Sequence, residues 1–116
     1  MSTQQKYKGA IVKESLQEVE ILNHLNVFGI EETDDQNVED RWHIYSVFVS
    51  LEEIMQLEKS IKDSWYAHFW NETELIVIFR DKTFTCDRNN KETWQQAVEY
   101  GLSRGVIKEQ LNFLMD

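Results

Sequence analysis

The chain has no proline, one cysteine and four glycines in 116 residues. With no proline to lock φ, boundaries must be read from glycine, Asn/Asp clusters and helix-capping patterns. The lone cysteine, Cys86, excludes an intramolecular disulfide and a cysteine-rich zinc site. Together with the lack of a charged-then-apolar leader at Met1, it points to a reducing cytoplasm, and in a strand it reads as a small inert hydrophobe. Gly9, Gly29, Gly101 and Gly105 are too scattered for a phosphate-cradling loop, and "YGLSRG" lacks both the following Lys and Ser/Thr and a strand-to-helix setting.

Cations are scarce too. Twelve Lys plus Arg against 21 Asp plus Glu gives 12 − 21 = −9, a field that repels phosphate backbones and disfavours nucleic acid as a direct ligand. The longest wholly apolar run is "LIVIF", Leu75 to Phe79, far short of the roughly 18 residues that cross a bilayer, so no membrane contact is expected.

What the sequence does have is aromatic mass, four Trp and six Phe, enough with its aliphatic residues to build one core in one domain spanning 1–116. Tyr7 to Lys13 reads as a strand. "SLQE", Ser15 to Glu18, has capping-box spacing and predicts a short helix to about Asn23. Leu25 to Glu32 resumes strand character, with Gly29 marking a bulge, and the acidic stretch Glu32 to Asp40 reads as loop. Arg41 to Ser50 is rich in β-branched and aromatic residues and reads as a strand. Ser50 and Glu53 form a second capping box ahead of Leu51, Ile54, Met55, Leu57 and Ile61 at helical spacing.

Trp65 to Trp70, Glu74 to Arg80 and Lys82 to Cys86 are three short strands joined by "NET" and "DK", which predicts an antiparallel meander. Asn89 and Asn90 can cap a helix carrying Trp94, Ala97, Val98 and Leu102, with Gly105 placed to stop it, and a last helical piece presents Ile107, Leu111 and Leu114.

Tight turns fix which residues share a face of the meander. One face carries Tyr66, His68, Trp70, Leu75, Val77, Phe79, Phe84 and Cys86; the other carries Trp65, Ala67, Phe69, Ile76, Ile78, Arg80, Thr83 and Thr85. The first set is the more uniformly apolar, so the helices are assigned to it. The expected fold is therefore α+β, a mostly antiparallel sheet of five to six strands with helices packed on one face. The opposite face then presents Trp65 beside Arg80, a cation–π pairing, with Phe69, Thr83 and Thr85 nearby. That face, apolar for a solvated surface, calls for a cover: the N-terminal segment, a second subunit or a ligand.

Catalytic signatures are sparse. His24, His43 and His68 lie 19 and 25 residues apart, with no pair at helical ligand spacing, so no metal is expected. His68 reads as a hydrogen-bonded core imidazole, and no nucleophile, base and orienting group are grouped in the sequence. Asp34, Asp35, Glu39 and Asp40 offer oxygen ligands but lack the alternating spacing and central glycine of a calcium loop.

"WYAHF" from Trp65 to Phe69, "IFRDKTFTCDR" from Ile78 to Arg88 and "EYGLSRGV" from Glu99 to Val106 resemble a family of small uncharacterised prokaryotic proteins of similar length, from about Gly9 to Phe113. The resemblance implies a cytosolic stand-alone α+β domain and supplies no catalytic residues or cofactor. Members often carry an acid where this chain has His68, which weighs against a catalytic role for that histidine.

The function expected first is a non-catalytic binding or regulatory module using Trp65, Phe69, Arg80, Thr83 and Thr85 for a protein partner or self-association. One alternative is a small-ligand-binding protein or enzyme with a pocket between sheet and helices, served by Tyr66, His68 and His43. The other is an acidic inhibitor or immunity-type protein whose negative surface steers a basic target.

Overall fold

A computed structural model of the chain describes residues 7–34, 36, 41–113 and 115. Its centre is a six-stranded antiparallel sheet formed by β1 (Tyr7–Val12), β2 (Asn26–Glu32), β3 (His43–Val49), β4 (Ala67–Trp70), β5 (Glu74–Phe79) and β6 (Lys82–Asp87), in the spatial order β2-β3-β1-β4-β5-β6. With helices α1 (Leu51–Ser60) and α2 (Gln95–Ser103), the fold is α+β.

The meander follows the turn chemistry. Asn71 closes the first turn by accepting the backbone N–H of Thr73 at 2.9 Å and of Glu74 at 2.7 Å. The second turn is Arg80-Asp81 and not the expected "DK": Lys82 already pairs with Phe79, and Asp81 lies in the left-handed region at φ 59°. The resulting register sets His68 opposite Val77 and Val77 opposite Phe84, and Phe69 opposite Ile76 and Ile76 opposite Thr85, which are the two faces read from the sequence.

The helices divide between those faces. α1 begins at the Ser50 and Glu53 capping box, with Ser50 Oγ accepting the Glu53 N–H at 3.2 Å and Glu53 Oε1 accepting the Ser50 N–H at 2.9 Å. It sinks Ile54, Leu57 and Ile61 against Phe69, Ile76 and Ile78, on the face expected to be open. α2, with the segment that follows it, covers Leu75, Val77 and Phe79 on the other side with Ala97, Val106, Leu111 and Phe113. Gly105, at φ 92°, ends this helix in the left-handed turn that favours glycine, and the Val106 N–H returns to the Gly101 carbonyl at 3.0 Å. Both meander faces are apolar, so each needs a cover, and one helix goes to each.

Two local expectations are corrected. "SLQE" does not cap a helix: Ser15 Oγ donates to the Val12 carbonyl at 2.5 Å, and the region forms 3-10 segments at Lys13–Ser15 and Val19–His24. Leu16 and Leu22 leave these segments to join the core beside α1. The last helical piece is a single 3-10 turn, Lys108–Gln110; Leu114 lies outside the described residues.

β1 is threaded between β3 and β4, although β2 follows it in sequence. It brings Lys8, Ala10 and Val12 onto the His68 face, opposite Phe48, Ser46 and Ile44 of β3. The cover of α2 does not extend over this half of the sheet, and the candidate site forms at the border of the covered and uncovered halves.

Candidate functional site

Three strand ends and the segment after α2 enclose a pocket of about 300 Å³. β1 supplies Ala10 and Val12, and the start of β3 supplies Ile44 with Trp42 just before it. Ser64, Trp65, Tyr66 and His68 come from β4 and its approach, and Val106, Gln110 and Asn112 close the third side. The antiparallel pairing explains the grouping, since Ala10 pairs with both Ser46 and His68 and Val12 with Ile44, so their side chains leave the sheet on one side.

The walls are aromatic. Trp42 and Trp65 meet edge to face with ring centroids 5.0 Å apart. Ser64, held at φ 70°, bends the chain so that Trp65 spans the end of the sheet, touching the α1-side core and lining the pocket at once. The His68 ring, 8% exposed, lies stacked on Trp70 at 5.1 Å with the planes 23° apart. Phe113 stands behind Tyr66 and His68, with centroids at 5.5 and 6.0 Å.

The hydroxyls around the pocket hold its third wall. Tyr66 donates its O–H to the Gln110 carbonyl. Ser64 Oγ donates to the Arg104 carbonyl at 2.7 Å, and Arg104 Nη2 reaches Asp63 Oδ1 at 2.5 Å. Burial pushes the Tyr66 phenol up to about 12. The group therefore stays protonated at neutral pH and serves as a fixed donor.

Of the residues singled out from the sequence, Tyr66 and His68 come together in this pocket and His43 does not. His43 points to the α1 side, where its Nδ1 is 2.8 Å from Glu14 Oε2 and its Nε2 is 3.4 Å from Glu32 Oε2. Burial alone would raise the Glu14 carboxyl, but the His43 backbone N–H and ring outweigh it and hold it below the usual carboxylate range.

The expected contact patch does not assemble as one exposed surface. Phe69 is fully buried under α1, because the face expected to be open is the one that helix covers. Thr83 Oγ1 donates to Glu58 of α1, while Thr85 and Arg80 are exposed, with Arg80 Nε 3.9 Å from Asp81 Oδ2. Trp65 packs against Trp42 and faces the pocket instead of forming the expected pair with Arg80.

No family model, no curated protein and no solved structure matches this chain. The site is therefore read from its own geometry. Among the described residues, no group of three His, Cys, Asp or Glu side chains is placed to hold a metal ion; Asp35, Glu39 and Asp40 of the acidic loop lie outside them. Cys86 is buried two strands from β4, and burial pushes its thiol up, away from the reactive thiolate.

Sequence reading missed Trp42, Ala10, Ile44 and Asn112 as neighbours of Tyr66 and His68. A signal for Trp42 was present, since it opens the aromatic strand at Arg41 to Ser50. Nothing local announces that β1 inserts between β3 and β4, and that insertion is what brings these residues together.

The half of the sheet beyond the cover of α2 ends at Phe28 and Phe48, rings 4.4 Å apart, with Phe28 half exposed on the edge strand β2. Phe28 reaches this face by alternation from Asn26, which pairs with Phe48, and the register shift between Val27 and Gly29 makes Gly29 the partner of Ser46. No helix among the described residues is long and apolar enough to cross a membrane.

Proposed function

We propose that this chain is a small-ligand-binding module whose ligand sits between Trp42, Trp65, Tyr66 and His68. The observation that carries the reading is the pocket itself: about 300 Å³, the lower end of the roughly 300–1,000 Å³ typical of ligand sites, mostly apolar, with a few polar groups converging on it. Binding, not turnover, is favoured because the Tyr66 proton is held by burial and committed to the Gln110 carbonyl. We assign the protein to the cytoplasm, supported by its single buried thiol, and retain its kinship with the small prokaryotic family as part of the proposal.

The test is a thermal-shift screen of common metabolites against wild type and Ala10→Phe, a change that places a ring inside the pocket on the side away from Phe69. A ligand at 100 times its Kd is expected to stabilise wild type by about 2.7 kcal/mol and to leave the variant's melting unchanged. Equal stabilisation of both proteins would place binding elsewhere, and no stabilised compound, with no small molecule retained from native extract, would contradict the reading.

A second reading, a protein contact or self-association, is supported by Phe28 and by Ile30, 61% exposed, on the open edge strand β2. It expects sedimentation velocity to show a concentration-dependent dimer, or a complex in extract, that Phe28→Asp removes. A monomer at every concentration with no partner in extract counts against it.

A further inference from the structure

The chemistry of the pocket narrows its ligand. We infer that the site takes an uncharged, flat aromatic compound of one or two rings bearing one hydrogen-bonding group, an inference that rests on the ligand-binding reading above.

Size is the first argument. At about 30 Å³ per water, 300 Å³ holds the equivalent of about ten waters, the bulk of one or two fused rings and less than that of a nucleotide. Shape is the second. The floor is a sheet face built from the short side chains of Ala10 and Val12, and the walls are the indoles of Trp42 and Trp65, surfaces that complement a flat ring.

Charge is the third. Among the described residues, no Asp, Glu, Lys or Arg lines the pocket. A carboxylate or phosphate would lose its hydration with no Lys or Arg among the described lining residues to receive it, and would approach against a net charge of −9. An ammonium group would be drawn in by that same charge at long range, but would meet no carboxylate among the described lining residues. Asp63, next to the pocket-lining Ser64 in the chain, is already bound to Arg104 at 2.5 Å. Tyr66 is neutral and its proton is in use, and the amides of Gln110 and Asn112 stand at the rim to meet a single polar group on the ligand.

The test uses three molecules of nearly equal shape that differ in charge: 2-naphthol, 2-naphthoate and 2-naphthylmethylammonium, titrated into the full chain by calorimetry near neutral pH. The naphthol is expected to bind at least about fivefold tighter than either charged analogue, because only the charged ones lose hydration without a partner. It should also lose its binding in Ala10→Phe, or in Val12→Phe if the first variant fails to fold. A charged analogue that binds within fivefold of naphthol, or tighter, overturns the inference; if Ala10→Phe abolishes that binding, the pocket reading stands. No binding by any of the three, or naphthol binding unchanged in a folded pocket variant, overturns both.

Discussion

Phe69→Ala is expected to cost about 3 to 5 kcal/mol of folding stability, as for a fully buried aromatic truncated in a core, against the ±0.5 kcal/mol or so typical of a surface position. Phe69 lies on β4 with no exposed surface, under α1 on one side and against the central strand β1 on the other. Its fit to β1 is tight at Gly9, where a Cβ would stand 2.2 Å from Phe69 Cδ1 and 2.6 Å from Cε1. Gly9→Ala is therefore expected to destabilise by about 3 kcal/mol, the upper end of the overpacking range, since the ring is hemmed in and β1 is fixed by strands on both sides. In a Phe69→Leu background the new methyl has room, and the cost of Gly9→Ala should fall by roughly 1 to 2 kcal/mol, a coupling of the size seen between touching residues. Urea unfolding of the four proteins of this cycle, and of Phe69→Ala as a fifth, measures both effects; strict additivity, or a nearly neutral Phe69→Ala, would count against the packing of β1, β4 and α1 described above.

The second large effect is set by pH. The Tyr66 phenol is about 12 in the folded chain and 10.0 in its absence, a raised value caused by burial. Because the folded state favours the protonated form, the burial of Tyr66 costs nothing extra below pH 10. Above it the unfolded chain gives up the proton first, so stability falls with a slope of about 1.4 kcal/mol per pH unit until pH 12, about 2 to 3 kcal/mol in all. Tyr7, raised by burial and by its bond to Glu74, adds to the same alkaline loss, so the comparison with Tyr66→Phe isolates the pocket residue. The stability advantage of wild type over that variant should shrink between pH 10 and 12, read by urea midpoints. A difference independent of pH across that interval would mean that Tyr66 is solvated.

The face map was legible in the sequence because side chains in a strand alternate with period two, so the move of the second turn from "DK" to Arg80-Asp81 shifts the register by two residues and leaves each face intact. Ser50 with Glu53, Asn90 ahead of its helix and Gly105 after it were readable for the same kind of reason, each being a local hydrogen-bond or φ requirement. The allocation of helices was not. Ile54, Leu57 and Ile61 form a stripe that would suit either meander face, and only the chain path, from β3 through Ser50 to a return at Ile61 beside Leu16, selects the Phe69 side. "SLQE" misled because Ser15 finds the Val12 carbonyl, and the N–H of Glu18 finds Ser60 Oγ on α1 instead of a local cap. The pocket was half legible: Tyr66 and His68 share a face by alternation, whereas Trp42, Ala10 and Ile44 join them only through the long-range order β3-β1-β4.

The four tryptophans offer the most direct test that the pocket binds a ligand. Trp42 and Trp65 line it, while Trp94 sits immediately before α2 with its indole N–H given to the Asp87 carbonyl at 2.8 Å. In a nitrogen-labelled sample titrated with 2-naphthol, the indole N–H resonances of Trp42 and Trp65, assigned by single Trp→Phe variants, should move in a saturable way while that of Trp94 holds still. Movement confined to Trp94, or four unmoved indoles at the solubility limit of the probe, would contradict it.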